Sequence, residues 1–448
     1  MTADAPKKKK KAALTPDQQE LPETQLRKLD LCWSGPRFRS RSDEEEFDSR
    51  ELCSCDGDWG DEKWDEAALF LIGKSPHLVD LSFNLASFNH TEITFGTDVP
   101  ALKRLKIAGF REASMYSETF TQFFDALPSQ LEELTLDCDV FFSRDERDSD
   151  GDGAAADDHK QVRKAIRVLV LRGNMLEIPL PMLTRFLKQC PLLTELRLTG
   201  DMYSVKTQQV AEVLRKCCPE LDRLVVQGVN HTIDDHGLAR LLTPVPSLPD
   251  RSTTSSPVAL PAASQSARWK SVELVAPYFG PRAASSLLVH APTLEHVSIR
   301  HGGLPAHDLH TLLATAPNLR TLTVLSDRAP QTLPYCLKGA PPSWACAGSL
   351  EVLRINTAPG QWKVSARNNL LQQIGSMPTL RVLHFRNASK TQQGFCDFSL
   401  QSGTLDRLKG LKELEEFQLE SFQHKIASEE QSWIKTHWSR LKKLLLRN

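Results

Sequence analysis

Residues 292–324 read PTLEHVSIRHGGLPAHDLHTLLATAPNLRTLTV, and the rule for the whole chain is contained in them. Leu294, Val297 and Ile299 open the stretch as Leu-x-x-Leu-x-Leu with conservative swaps. The spacing of two between Val297 and Ile299 puts both on one face of an extended segment and turns Ser298 outward. Further on, Leu309, Leu312 and Leu313 fall at i, i+3 and i+4, a single helical stripe. Pro317 ends that helix, because proline pushes the residue before it out of the helical region and feeds an extended segment. Leu319, Leu322 and Val324 then begin the pattern again.

Outward from this stretch, the same core recurs about fourteen times, from Leu26-Leu29-Leu31 to Leu441-Leu444-Leu446. Eight copies follow a proline: Pro76, Pro100, Pro128, Pro191, Pro219, Pro292, Pro317 and Pro378. Ahead of them stand Ser75, Val99, Leu127, Cys190, Cys218, Ala291, Ala316 and Met377, mostly small or apolar, as a buried helix-to-strand corner requires. Gly109, Gly173, Gly200 and Gly228 follow their strands at one register, which suits a tight turn off a sheet. Most intervals between first leucines are 24 to 35 residues, and two are near 50. Repetition at this period means stacked units, each burying a face that it cannot bury alone.

Strand, turn, helix, proline and strand at ~28 residues resembles the leucine-rich repeats of the ribonuclease-inhibitor-like class, including the cysteine-containing type of F-box proteins. The resemblance implies an α/β solenoid of about 14 irregular repeats over residues 24–448. It would be a curved horseshoe with a parallel sheet on the concave side and helices on the convex side. At ~4.8 Å per strand the sheet would run roughly 60 Å along its inner arc. Neither end of the array carries an evident polar cap, so it is expected to be cut from a larger design or covered by a partner.

Several segments break the rhythm. Residues 1–23 read as a disordered basic tail, and Pro6 to Lys11, PKKKKK, resembles a nuclear import signal. Inserted loops are expected at about 36–65, 139–162, 244–267 and 328–348. The first holds Cys53-Ser54-Cys55, but only Cys32 and His77 lie near enough to complete a zinc set, and neither has the spacing. In the second, Asp148-x-Asp150-x-Asp152-Gly153 mimics the opening of a calcium loop. Ala155 and His159 then stand where that loop needs an aliphatic residue and a glutamate, so an acidic insertion is the expectation. The third is rich in Pro, Ser, Thr and Ala, as flexible insertions are.

The composition sets limits on partners. Net charge is −1, which supplies no global field for nucleic acid or an acidic membrane, and neither is an expected partner. No stretch reaches the ~18–20 apolar residues of a membrane span, and the N-terminus lacks the apolar core of a secretory signal. Location is therefore expected to be cytoplasmic and/or nuclear, with the ten cysteines as reduced thiols. No metal site or cofactor is expected. No phosphate-cradling glycine loop, His-Glu-x-x-His or glycine-flanked serine is present, and the thirteen histidines are dispersed, so the chain is read as not an enzyme.

What remains is a surface. Residues flanking the inward leucines face the concave side. Early repeats offer a mixture there, including Lys28, Asp30, Asp80, Arg104, Lys106, Glu133 and Asp137. Later ones turn basic with Arg300, Arg354, His384, Arg386 and Arg447, and with His296 and His301 close by. These five are the candidate partner-binding residues, for an acidic or phosphorylated segment of a protein. The family resemblance implies a non-catalytic interaction scaffold like the substrate-recognition repeats of F-box ubiquitin-ligase adaptors, with a ligase core component as possible second partner. Leu21-Pro22-Glu23 resembles an F-box opening, yet Leu26 already starts the first repeat and leaves no room for the helical module. The alternative is a GTPase regulator or other signalling scaffold. Ran GTPase-activating proteins share the repeat class, but with more uniform repeats and an acidic tail.

Overall fold

The computed structural model describes residues 26–31, 71–84, 99–110, 123–138, 164–172, 180–199, 207–227, 233–243, 269–276, 278–326, 343–357, 364–387, 403–420 and 427–447. The tail at 1–23 and the insertions at 36–65, 139–162 and 244–267 lie outside them, as do Cys53, Cys55 and the acidic run from Asp148.

Fourteen strands form one sheet in strict chain order. They are β1 Lys28–Leu31, β2 Asp80–Asn84, β3 Arg104–Phe110, β4 Glu133–Cys138, β5 Val168–Arg172, β6 Glu195–Thr199 and β7 Arg223–Gln227. Then follow β8 Ser271–Val275, β9 His296–Arg300, β10 Thr321–Leu325, β11 Val352–Thr357, β12 Val382–Asn387, β13 Glu416–Glu420 and β14 Lys443–Arg447. Every neighbouring pair is parallel, from β1 with β2 to β13 with β14. Parallel neighbours need a crossover between them, and the segments between strands supply it. Helices Leu180–Gln189, Thr207–Cys217, Pro281–Leu288, Ala306–Thr315, Val364–Gly375 and Ser428–His437 each precede a strand by one proline-type or tight corner, and helix Asp235–Leu242 lies between β7 and β8. The architecture is a leucine-rich-repeat solenoid, an α/β horseshoe with the sheet on its concave side.

The core is a single seam between sheet and helices. The inward leucines of β2 to β13 are buried, as Leu81, Leu134, Leu224, Val297, Leu353 and Phe417 illustrate. Leu309, Leu312 and Leu313 of the quoted stretch are buried on the helix side of the same seam. Burying a side chain of this size contributes about 1.5–3 kcal/mol, and repetition supplies the sum. All eight residues ahead of the introducing prolines are buried too, with Val99, Cys190, Cys218, Ala316 and Met377 at 0% exposure. The corner is enclosed on all sides, which favours small or apolar residues and thiols. Residues 345–348, at the end of the stretch expected as the insertion 328–348, form a 3₁₀ helix whose Cys346 is in the core. These residues do the work of a convex helix in their repeat, and the rest of that stretch, 328–342, lies outside the described residues.

Adjacent repeats are also stitched by polar groups. Asp235 accepts from the backbone N–H groups of Gly280, Arg282 and Ala283 at 2.9, 3.1 and 2.9 Å. It thereby caps the N-terminus of the next helix, whose own cap position is Gly280 and has no side chain to offer. Buried His290 reaches the Leu242 carbonyl oxygen with Nε2 at 2.6 Å. Lys164, buried just after the 139–162 segment, donates from Nζ to the carbonyl oxygens of Asp125 at 3.2 Å and of Leu127.

One further column runs the length of the sheet. The residue directly after each repeat's first leucine donates its N–H to its counterpart one strand earlier, as Glu295 does to Lys270 and Arg320 to Glu295, each at 2.8 Å. From Lys103 onward these positions are Lys103, Glu132, Arg167, Thr194, Asp222, Lys270, Glu295, Arg320, Glu351, Arg381, Glu415 and Lys442. The signs alternate throughout, with Thr194 the one neutral interruption. Side chains meet along the column: Lys103 with Glu132 at 2.8 Å, Lys270 with Asp222 at 2.7 Å, and Arg381 and Lys442 with Glu415. Hydrogen bonds and charge from these partners hold the carboxyls of Glu132 and Glu415 below the usual range and Lys270 above it. A strand displaced by one repeat would meet its own charge, so the column favours one stacking order.

Candidate partner-binding face

Because side chains alternate along a strand, each strand turns every second residue toward the concave side. The register aligns these residues in rows. The middle row from β8 to β13 reads Glu273, Ser298, Thr323, Arg354, His384 and Gln418. In the last row Val275, Arg300 and Leu325 are aligned, and so are Asn356, Arg386, Glu420 and Arg447. The structure thus puts Arg354 beside His384, and Arg386 two residues further along β12. Arg300 stands two strands away on β9, and Arg447 two strands away on β14 in register with Glu420.

These cations are not equivalent. Glu420 takes two of them. Its Oε1 lies 3.2 Å from Arg386 Nε, and its Oε2 lies 3.2 Å from His384 Nε2. Gln418 Nε2 donates to the same carboxylate at 3.4 Å. The approach of His384 is off hydrogen-bond geometry, so its Nε2 is buried without a hydrogen-bond partner. Burial pushes the His384 pKa down, and Arg354 and Arg386 push the same way, against the pull of Glu420. His384 is therefore a neutral ring between cations at neutral pH. Among the described residues, Arg300 and Arg354 have no ion pair.

The early concave rows differ. Asp80 sits 3.9 Å from Lys28 and 3.1 Å from Arg104, and Glu195 pairs with Arg197 and, at 3.3 Å, with Arg223. Arg104 and Arg223 there are answered from the neighbouring strand, and Arg197 from its own.

Sequence reasoning missed Glu420. It follows Leu419 at the same offset at which Arg386 follows Phe385, and reading the rows across repeats would have found it. It also missed Ser298 and Asn356, whose Oγ and Oδ1 are buried without hydrogen bonds. Asn356 Nδ2 is engaged, donating to the carbonyl oxygen of Ser326.

Reactive side chains elsewhere are held in place structurally. Burial pushes the Cys346 thiol up to about 12, and Cys190 higher still, so neither is a thiolate at neutral pH. Among the described residues, no group of three or more His, Cys, Asp or Glu could hold a metal ion, and no helix is long and apolar enough to cross a membrane.

No protein-family model matches the chain, and no curated protein matches it. Among solved structures it is similar to a chain of the TLR13–ssRNA13 complex, at 12% identity and a TM-score of 0.30 over 85% of this chain. The matched region spans 59% of that chain. It is also similar to a chain of the Rad7 and Elc1 complex in yeast, at 15% identity and a TM-score of 0.36, with 75% of each chain covered.

Proposed function

We propose that the protein is a non-catalytic protein-interaction scaffold whose concave sheet face holds the partner. The observation that carries this reading is the contrast in charge pairing across one continuous sheet. Along the rim and in the early rows most cations meet a carboxylate, as Lys103, Arg104, Lys270 and Arg381 do, while Arg300 and Arg354 are left open on β9 and β11. A row of fixed strands with open cations fits an acidic or phosphorylated protein segment laid across them, and Arg386, His384 and Arg447 extend the same face. The non-catalytic part of the reading is supported by thiols kept protonated in the core and by His290 engaged with a backbone carbonyl. The finer reading is a substrate-recruiting adaptor like the repeat half of F-box/leucine-rich-repeat proteins, in the cytoplasm or nucleus.

The test is affinity capture with the full chain and two variants. One carries Arg300→Glu, Arg354→Glu and Arg386→Glu on the concave face. The other carries Lys435→Glu on the exposed side of a convex helix. A partner retained by the wild type and the convex variant and lost from the concave variant is the expected result. Identical captured sets from all three would overturn the concave assignment. Recovery of a ubiquitin-ligase core component in the same complex is the result expected of an adaptor, and its absence from a complex that holds the partner removes that finer reading.

A further inference from the structure

Two observations on β9 to β11 converge on one place. The first is cationic charge with no counter-charge. Arg300 and Arg354 flank β10, which presents Thr323 and Leu325 between them. At ~4.8 Å per strand and ~3.3 Å per residue, the two Cα atoms stand about 12 Å apart. Two arginine side chains rising from one face can close that gap above Thr323 and Leu325. The second observation is polar atoms buried without partners. Ser298 Oγ and His384 Nε2 lie in the same row as Arg354, and neither has a hydrogen-bond partner.

We infer that β9 to β11 hold a phosphoserine or phosphothreonine of an extended partner segment, with Arg300 and Arg354 closing on the phosphate. This inference rests on the scaffold reading. One guanidinium fork saturates a carboxylate, whereas two forks from separate strands match a three-oxygen dianion. Glu420 already neutralises Arg386 and His384 is uncharged, so these form the wall of the site and Arg354 is its anchor.

The experiment uses the full chain and three fluorescent peptide pools, degenerate around a central phosphoserine, serine or glutamate. Retention of the phosphoserine pool about tenfold or more above the other two is expected, falling about tenfold in Arg354→Ala and not restored by Arg354→Lys. Arg104→Ala, where the cation already pairs with Asp80, leaves retention unchanged. Thermal melts of each variant separate lost binding from lost folding. Equal retention of the pools, retention of none, or indifference to Arg354→Ala in a folded protein overturns the phosphate site. Displacement by equimolar inositol hexaphosphate or by a single-stranded oligoribonucleotide overturns the peptide assignment. A captured partner that is lost from the concave variant above but is indifferent to phosphatase and to Arg354→Ala sinks this inference and leaves the scaffold reading standing.

Discussion

The two edges of the same β-sheet face follow opposite rules. Along the rim at the start of the strands, charges alternate from Lys103 to Lys442, and most find partners in the next repeat. Two rows further along the strands, on β9 and β11, Arg300 and Arg354 meet uncharged neighbours. Strand spacing and solvent are similar in both places, so geometry does not cause the difference; residue choice does. A self-answering column specifies how repeats stack. A column left open specifies something outside the chain. The comparison separates charges that serve the fold from charges that serve binding, and each side can be broken by experiment.

The largest effect is expected where repeats are fitted backbone to backbone. A Cβ on Gly375 would stand 1.8 Å from the Arg407 carbonyl oxygen, and one on Gly410 2.2 Å from the Gly375 carbonyl oxygen. Neither obstacle can rotate away. Gly375→Ala should therefore cost about 3 kcal/mol by urea denaturation, as overpacking of a tight contact does. A cost below ~1 kcal/mol would mean that the two repeats slide freely. Asp235→Ala comes next. It strips three N–H groups at the start of helix Pro281–Leu288 of their acceptor, and about 1–2 kcal/mol should go with it. Asp235→Asn keeps one acceptor oxygen and should lose about half as much.

A third expectation concerns pH. Burial lowers the pKa of His290, His310 and His384 in the folded chain. The unfolded chain then binds protons at these sites first, near pH ~6.5, so stability is full above that value and falls as pH drops through it. The slope from His290 reaches at most about 1.4 kcal/mol per pH unit and ends once the folded ring also protonates. Denaturation curves from pH 7.5 to 5 should lose part of this slope in His290→Gln. An unchanged slope would show that His290 is not held neutral.

The fold was legible because its signal is repeated. Leu294-x-x-Val297-x-Ile299 fixes strand and face, Leu309, Leu312 and Leu313 fix the helix, and Pro317 fixes the corner. The introducing prolines also gave away the buried residue ahead of each. The candidate site was legible only in part. Arg300, Arg354, His384 and Arg386 could be placed on the concave face from parity alone. Which of them were already engaged depended on Glu420, which sits 36 residues after His384 and becomes its neighbour only through the stacking. The alternating rim was hidden differently. Its residues are the unspecified positions of the repeat, and their pattern exists between repeats instead of within one.

The smallest effect in stability gives the sharpest test of the comparison, because one change of charge is made on each side. Glu351→Lys places a cation between Arg320 and Arg381 on the rim, where Arg320 now lies 3.8 Å from Glu351. Arg320 would then keep only Glu295 beside it on the rim, and Arg381 only Glu415, and the melting temperature should drop by about 2–4 °C in low salt. Half-molar salt should restore most of it, since screening at that strength reaches within the spacing of adjacent strands. Arg354→Glu removes a cation that no carboxylate answers and places an anion next to neutral His384. It should leave the melting temperature within about 1 °C at either salt, while abolishing capture of the partner. Equal losses from the two variants would mean that Arg354 serves the stacking of repeats after all. A rim that tolerates Glu351→Lys without loss would mean that the alternation records the order of the repeats without enforcing it.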